Sequence, residues 1–222
     1  MSNSASRETL RTLCRSAAAE GCVLLKNERE TLPLAPGETV AVFGRCQFQT
    51  YASGTGSGGL VNAAYHVSLM QGLSGVGVHT DAETARTYEN WLATHPYDDG
   101  GRIWAAEPWH QEEMPVDNLP RRAAQRSIKA LVVLGRTAGE DKDHAPEKGS
   151  WLLTDTERDL LERVSAAFSQ VAVILNTGGL MDLSWLDTLP ARDHISAVML
   201  CWQGGQEAGN GMTRNVDKAD SG

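Results

Sequence analysis

Residues 129–136 read Lys-Ala-Leu-Val-Val-Leu-Gly-Arg, in which the apolar run 130–134 is followed by a glycine. A run that is apolar on both faces is typical of a parallel strand whose sheet is covered on both sides. Three further runs share this character, at residues 40–43, 171–179 and 195–202. Stretches with helical periodicity separate the runs. The alternation predicts an α/β fold in which helices sandwich a mostly parallel sheet.

The helix predictions rest on caps and apolar periodicity. The clearest helix covers residues 154–168, where Thr154 and Glu157 form a capping-box pattern. A first helix is predicted over residues 6–26, with its leucines and Val23 on the buried face. Further helices are predicted at 62–75, 82–94 and 119–129, with a short helix or turn at 181–187. Because helices alternate with the strands, we expect three layers, helix, sheet and helix, as in a flavodoxin-like sandwich.

Composition favours one globular domain and excludes some classes of protein. The chain has 222 residues, is 41% hydrophobic and carries a formal charge of −8, which argues against a nucleic-acid binder. It contains no apolar run of about 18 residues, so no membrane span is expected. The N-terminal residues lack the apolar region of a signal peptide. We therefore expect a cytoplasmic location.

The four cysteines lie at positions 14, 22, 46 and 201 and form no CxxC pair. His66 and His79 are distant from all of them in sequence. Structural zinc is therefore not expected, and the cysteines are interpreted as free thiols of a cytosolic protein. No metal and no cofactor are predicted.

Ligands of an open α/β sheet gather beyond the carboxyl ends of its strands. The segment after the first interior strand contains Ser-Gly-Thr-Gly-Ser-Gly-Gly at residues 53–59, which we call the glycine loop. Glycine lets backbone approach a ligand closely. The loop lacks the lysine of a P-loop, and its spacing does not fit a dinucleotide-binding turn. A nucleotide is thus poorly supported, and a sugar or a plain tight turn remain alternatives.

The segment after the second interior strand reads Gly-Glu-Asp-Lys-Asp-His at residues 139–144, which we call the acidic turn. A carboxyl group among other carboxylates can be protonated near neutral pH and act as a general acid. Glycoside hydrolysis requires such a group. From composition alone, a solvated acidic loop is the simpler interpretation. Lys142 and Arg136 are expected to orient the loop.

Residues 95–117 follow neither a helical nor a strand pattern and carry Trp104 and Trp109. Long irregular segments in compact domains are often functional. The two tryptophans are candidate platforms for a sugar. The alternative is an ordered surface loop that these side chains anchor.

Several stretches together resemble the second domain of glycoside hydrolase family 3 β-glucosidases. The stretches are AAAEGCVLLKNERETLPL at 17–34, GTGSGG at 54–59, GRTAGEDKD at 135–143 and CWQGGQEAGNGM at 201–212. They occur in the family's order, and the resemblance spans roughly residues 8–212. We therefore predict one α/β-sandwich domain over residues 1–212. Residues 213–222 do not resemble the family's continuation and are predicted to be a disordered tail.

The resemblance implies a retaining β-glucosidase that releases terminal β-D-glucosyl residues. Glu140 occupies the position of the family's acid/base glutamate. Ser57, with Gly56 and Gly58, would line the sugar subsite, and Asp143 is a further candidate for contact with substrate. For Glu207, a role at the start of a helix is preferred to a catalytic one.

The resemblance also implies a partner. The family's nucleophile is an aspartate on a TIM-like barrel, and no residue here matches its motif. The position of the sandwich near the first methionine resembles the subgroup in which the barrel lies downstream. We expect this chain alone to be nearly inactive, and its barrel-facing surface to promote self-association into homo-oligomers. The alternatives are a non-catalytic module that binds carbohydrate or only docks on the barrel and, less well supported, a flavodoxin-like nucleotide binder.

Overall fold

The computed structural model describes residues 3–59 and 61–214, with side chains from residue 6 onward. Within these residues, six strands form one sheet of order β1-β6-β5-β4-β2-β3. The strands are β1 Val23–Asn27, β2 Thr39–Phe43, β3 His79–Thr80, β4 Lys129–Arg136, β5 Val171–Thr177 and β6 Ile195–Leu200. Strand β1 is antiparallel to β6, and the other neighbours are parallel. The predicted α/β fold with a mostly parallel sheet is confirmed.

Helices cover both faces of the sheet. They are α1 Asn3–Gly21, α2 Leu69–Gly75, α3 Ala82–Leu92, α4 Leu119–Ala123, α5 Asp155–Ala167, α6 Trp185–Thr188 and α7 Ala208–Arg214. Helices α3 to α6 contribute to one apolar cluster, and α2 and α7 contribute to the other. Helix α1 lies outermost and packs on α7. No helix among the residues described here is both long and apolar enough to cross a membrane.

Strand β4 shows why a continuous apolar run specifies an interior strand. Ala130, Val132 and Leu134 pack into one cluster, whereas Leu131 and Val133 pack into the other. Successive side chains of a strand point to opposite faces, so a sheet covered on both sides requires apolar residues at every position.

The prediction of one helix over residues 6–26 is wrong. Helix α1 ends at Gly21, and Val23–Asn27 forms the edge strand β1. The expected buried face is also wrong, because Leu10 and Leu13 are 55% and 63% exposed. Pairing with β6, which is distant in sequence, holds β1 in place, and local periodicity does not reveal such a contact.

Other predicted helices are shorter or have different ends. The helix predicted at 62–75 begins only at Leu69, where Ser68 and Gln71 form a capping box. Helix α4 ends at Ala123 instead of reaching residue 129. The capping box of α5 at Thr154 and Glu157 is confirmed. Of the predicted tail, Thr213 and Arg214 belong to α7, and residues 215–222 lie outside the described part of the chain.

Candidate active site

The glycine loop and the acidic turn lie side by side beyond the carboxyl ends of β2 and β4. Thr55 forms an isolated parallel bridge with Gly139, and its backbone N–H donates to the carbonyl of Ala138 at 3.1 Å. An added Cβ on Gly139 would lie 2.6 Å from the Thr55 nitrogen. The two segments therefore pack closely only because glycine stands at this position.

Glu140 contacts the glycine loop directly. Its Oε2 accepts hydrogen bonds from the Ser57 backbone N–H at 3.2 Å and from Ser57 Oγ at 2.7 Å. Gly56 has φ +79°, and a Cβ added to it would lie 2.5 Å from the Cβ of Glu140. Both Ser57 and Glu140 are exposed. The carboxyl group is thus oriented by this chain and remains open to a molecule outside it.

The other two predicted substrate-binding residues are placed differently. Gly58 is exposed, and a Cβ added to it would meet no described atom within 4 Å. Asp143 is also exposed, and its backbone carbonyl accepts a hydrogen bond from Trp109 Nε1 at 3.1 Å. The structure therefore brings Gly56 and Ser57 to Glu140, whereas Gly58 and Asp143 lie exposed on the same two segments.

The acidic turn is held by the irregular segment that precedes β4. The turn closes through a hydrogen bond from Lys142 N to the Gly139 carbonyl at 3.1 Å, with Asp141 in the left-handed region at φ 58°. Trp104 Nε1 donates to Asp141 Oδ2 at 2.8 Å. Lys142 Nζ donates to the carbonyl of Ala105 at 3.1 Å and lies 4.8 Å from the centre of the Trp109 ring. Both tryptophans therefore support the turn that carries Glu140.

Arg136 and His144 contact backbone carbonyl groups next to this turn. Arg136 is fully buried and forms an ion pair with Glu157 at 2.5 Å, and it also donates to the carbonyls of Ser150 and Leu152. Although burial alone would raise the pKa of Glu157, Arg136 holds that pKa below its ordinary value. The ring nitrogens of His144 lie 3.1 Å and 2.6 Å from backbone carbonyl oxygens of Thr137 and Leu180. Lys142 contacts the turn's support directly, and Arg136 orders the segment that follows the turn.

Glu207 occupies a structural position near the start of α7. It is buried, and its carboxylate accepts hydrogen bonds from Arg15, Tyr65 and Asn210. Burial opposes ionisation, but these three donors hold the pKa of Glu207 below its usual value. The carboxylate joins α1, the segment before α2 and the first turn of α7. This geometry matches the role at a helix start that the sequence predicts.

Two pockets flank the glycine loop. The first, of about 260 Å³, lies between the loop and residues 99–107, and we call it the Trp104 pocket. The second, of about 440 Å³, lies on the side of Tyr51 and Tyr97, and we call it the Tyr51 pocket. Gly54, Gly59 and Glu107 line both pockets.

Sequence reasoning did not single out Glu107, Tyr97 or Tyr51. Glu107 accepts a hydrogen bond from the Tyr97 hydroxyl, and burial raises the pKa of its carboxyl group. Tyr97 and Glu107 lie in the irregular segment at 95–117, where the sequence pattern singles out only the two tryptophans. Aromatic and acidic residues within that segment were the signal that could have identified them.

No cluster of three or more His, Cys, Asp or Glu side chains suited to a metal occurs within residues 3–59 and 61–214. No disulfide joins the four cysteines, and Cys46 and Cys201 are buried. Burial raises the pKa of both of these thiols. They are thus packed in the core as unreactive side chains.

Comparison with known proteins gives one consistent family. Residues 22–216 match the model of the glycosyl hydrolase family 3 C-terminal domain. A β-glucosidase of Ruminococcus albus is 43% identical over 197 residues, which is 88% of this chain and 20% of that protein. β-Glucosidase A of Butyrivibrio fibrisolvens is 30% identical over 229 residues, which covers 92% of this chain and 26% of the relative.

Solved structures agree in fold. A β-glucosidase from Paenibacillus barengoltzii superimposes with a TM-score of 0.91 and 47% identity, over 94% of this chain and 23% of that one. β-Glucosidase 3B from Thermotoga neapolitana, solved with glucose, superimposes with a TM-score of 0.81 and 31% identity, over 94% and 29%. The chain therefore spans about a fifth to three tenths of the length of these proteins.

Proposed function

The chain belongs to the glycosyl hydrolase family 3 C-terminal domain family, and on that premise we propose that it is the acid/base-bearing domain of a retaining β-glucosidase. The substrate would be a β-glucoside or a β-linked gluco-oligosaccharide, from which a terminal glucosyl residue is released. The nucleophile would come from a TIM-like barrel domain. The relatives named above are β-glucosidases of which this chain matches only a part.

The contact between Ser57 and Glu140 carries this proposal. A general acid must be oriented and must remain accessible to the atom that it protonates. The hydrogen bonds from Ser57 supply the orientation, and the exposure of Glu140 supplies the access. In the first step Glu140 donates its proton to the glycosidic oxygen while the partner carboxylate attacks the anomeric carbon. In the second step Glu140, now ionised, removes a proton from the water that releases the glucose.

On this proposal the leaving group would occupy the Trp104 pocket. Gly56 both lines this pocket and packs against Glu140. The proton goes to the oxygen that links the glucosyl residue to the leaving group, so the leaving group lies next to the acid. The hydrogen bond to Asp141 fixes the indole of Trp104 at the pocket wall. A fixed aromatic face beside polar groups suits the apolar face of a sugar ring or an aryl group.

Activity of this chain alone should be very low. A retaining glycosidase needs two carboxyl groups about 5 Å apart, one of which attacks carbon. The family's nucleophile motif has no counterpart in this sequence. We expect hydrolysis of an aryl β-glucoside to require the barrel domain.

The test is substitution of Glu140 in the full-length protein. Glu140→Gln should lower kcat on a β-linked glucose disaccharide by about a hundredfold or more, because the proton donor is lost. In Glu140→Ala, azide should partly restore turnover of a nitrophenyl β-glucoside, whose leaving group needs little protonation. Asp143→Asn, on the same exposed turn, is the matched comparison and should have the smaller effect. Normal turnover by Glu140→Gln would refute the assignment.

A non-catalytic carbohydrate-binding or domain-docking role is the second candidate, and the two pockets beside the glycine loop favour it. On that interpretation the 222-residue chain binds glucose or a gluco-oligosaccharide in calorimetry, while Glu140→Gln leaves turnover of the full-length protein intact. The pair of measurements therefore separates the two functions.

A further inference from the structure

Arg45 is a buried cation whose hydrogen bonds join the two ends of a long stretch of the irregular segment. It follows Gly44 at the carboxyl end of β2 and is 2% exposed. Its guanidinium Nη2 donates to the carbonyl of His95 at 3.1 Å, and Nη1 donates to the carbonyl of Glu112 at 2.6 Å. Residues 95–112 therefore leave and return at one side chain, and they form a closed loop that we call the strap.

The guanidinium is itself fixed by further contacts. Gln49 Oε1 accepts hydrogen bonds from Arg45 Nε at 3.0 Å and from Nη2 at 2.6 Å, and Arg45 Cζ lies 5.4 Å from the centre of the Trp91 ring. A planar guanidinium carries its donors in a rigid fork, whereas a lysine ammonium is a point charge on a flexible stem. The side chain of Arg45 can therefore hold two carbonyl groups at a set separation, which a lysine at this position would not do.

Two further links cross the strap between its ends and its middle. The amide of Gln111 bonds in both directions to the backbone of Asp98, accepting from its N–H at 2.7 Å and donating to its carbonyl at 2.8 Å. The hydroxyl of Tyr97 donates to the carboxylate of Glu107. Each link removes conformational freedom from the loop, as in other compact loops whose ends lie close together. The position of the two ends therefore determines the position of the middle.

The middle of the strap holds the acidic turn. Trp104 Nε1 donates to Asp141, and the carbonyl of Ala105 accepts from Lys142 Nζ. Glu140 directly precedes these two turn residues. A continuous series of contacts thus runs from the buried guanidinium through the strap to the turn that carries the proposed proton donor.

We propose that Arg45 is a positioning residue for proton transfer: by fixing the ends of the strap, it sets where the acidic turn holds Glu140. This proposal rests on the function proposed above. A general acid works only within hydrogen-bond reach of the atom that it protonates, so a displacement of about 1 Å lowers the rate of proton transfer steeply. Loss of the fork of Arg45 should therefore impair protonation of the leaving group.

The dependence of kcat/KM on the leaving group tests this role in the full-length protein. The glycosidic oxygen of a disaccharide needs a proton as the bond breaks, whereas a dinitrophenolate leaving group needs little protonation. In Arg45→Lys, kcat/KM for a β-linked glucose disaccharide should fall about tenfold or more, and kcat/KM for dinitrophenyl β-glucoside should fall less than about twofold. A smaller amount of folded protein would lower both values in proportion and leave their ratio unchanged.

A second variant and a control accompany Arg45→Lys. Gln111→Ala removes another link of the strap and should shift the ratio of the two kcat/KM values in the same direction, by about threefold. Arg126→Lys is the control, because Arg126 forms two hydrogen bonds with Asp81 and precedes β4, whereas Glu140 follows that strand. Arg126→Lys should unfold at a lower urea concentration and keep the ratio.

The outcomes separate this inference from the proposed function. An unaltered ratio in folded Arg45→Lys would overturn the inference, and so would an equal change of the ratio in Arg126→Lys. If Arg45→Lys does not fold, Gln111→Ala decides, since an altered ratio supports the inference and an unaltered one overturns it. If the proposed function is wrong, Glu140→Gln keeps the normal ratio. If only the role of Arg45 is wrong, Glu140→Gln still loses disaccharide hydrolysis selectively.

Discussion

Gly56 offers a sharp test of the contact between the glycine loop and Glu140. It has φ +79°, and an added Cβ would lie 2.5 Å from Glu140 Cβ and 3.2 Å from Glu140 Oε2. Gly58, two residues along the same loop, has no positive φ, and a Cβ there meets no described atom within 4 Å. The pair Gly56→Ala and Gly58→Ala therefore adds the same methyl group to one loop with and without a clash.

The cost of Gly56→Ala has two parts. An L-residue in the left-handed region loses about 1–2 kcal/mol relative to glycine. Ordinary contact between carbon atoms begins near 3.5 Å, so a separation of 2.5 Å requires Glu140 to move by about 1 Å. The clash is with the Cβ of Glu140, so the turn itself must shift against the contacts of Trp104 and Lys142, and the second part adds to the loss of folding stability. Unfolding of the 222-residue chain in urea should therefore show a loss of at least about 1–2 kcal/mol for Gly56→Ala and a change within about 0.5 kcal/mol of zero for Gly58→Ala.

The effect on turnover should be larger than the effect on stability. A shift of about 1 Å breaks the 2.7 Å contact between Ser57 Oγ and Glu140 Oε2 and misplaces the proton donor. Misplacement on this scale can lower a rate by about a hundredfold. Hydrolysis of a β-linked glucose disaccharide by the full-length protein should thus fall about a hundredfold in Gly56→Ala and change little in Gly58→Ala. Equal turnover and equal stability of the two variants would refute the reasoning.

Two further predictions concern stability and association. Burial raises the pKa of Glu113 to about 7, although its carboxylate accepts hydrogen bonds from the backbone N–H groups of Arg45 and Met114. Between about pH 4.5 and pH 7 the folded state therefore holds a proton that the unfolded state has released. The contribution of Glu113 to the free energy of unfolding is full below about pH 4.5 and falls by up to about 3 kcal/mol by pH 7. Urea unfolding between pH 4 and 8 should show this decline in the unchanged chain, and Glu113→Gln should not show it. The exposed apolar side chains of α1 and β1, including Leu13 and Leu24, should cause this chain to self-associate. Light scattering should then show a lower mean mass for Leu24→Lys than for the unchanged chain. A clean monomer of the unchanged chain at high concentration would contradict the expectation.

The sequence predicted the sheet well because its strands carry their own signal. In β2, β4, β5 and β6 every residue except Thr39 and Lys129 is buried, so the signal for these strands lies in runs of consecutive apolar residues. The capping box at Thr154 and Glu157 is equally local, since its hydrogen bonds join residues three apart. Edge strand β1 lacks this signal, because Val23 and Leu24 are half exposed and the strand depends on pairing with β6.

Sequence reasoning also placed the glycine loop and the acidic turn at one edge of the sheet, because parallel strands end there together. Only the tertiary structure shows that Ser57 donates to Glu140, that Trp104 donates to Asp141 and that Glu107 lines two pockets. These contacts join residues 37 or more positions apart, or depend on how an irregular segment folds over a turn. Local spacing can specify which residues lie near an edge, whereas distances between side chains depend on packing of the whole domain.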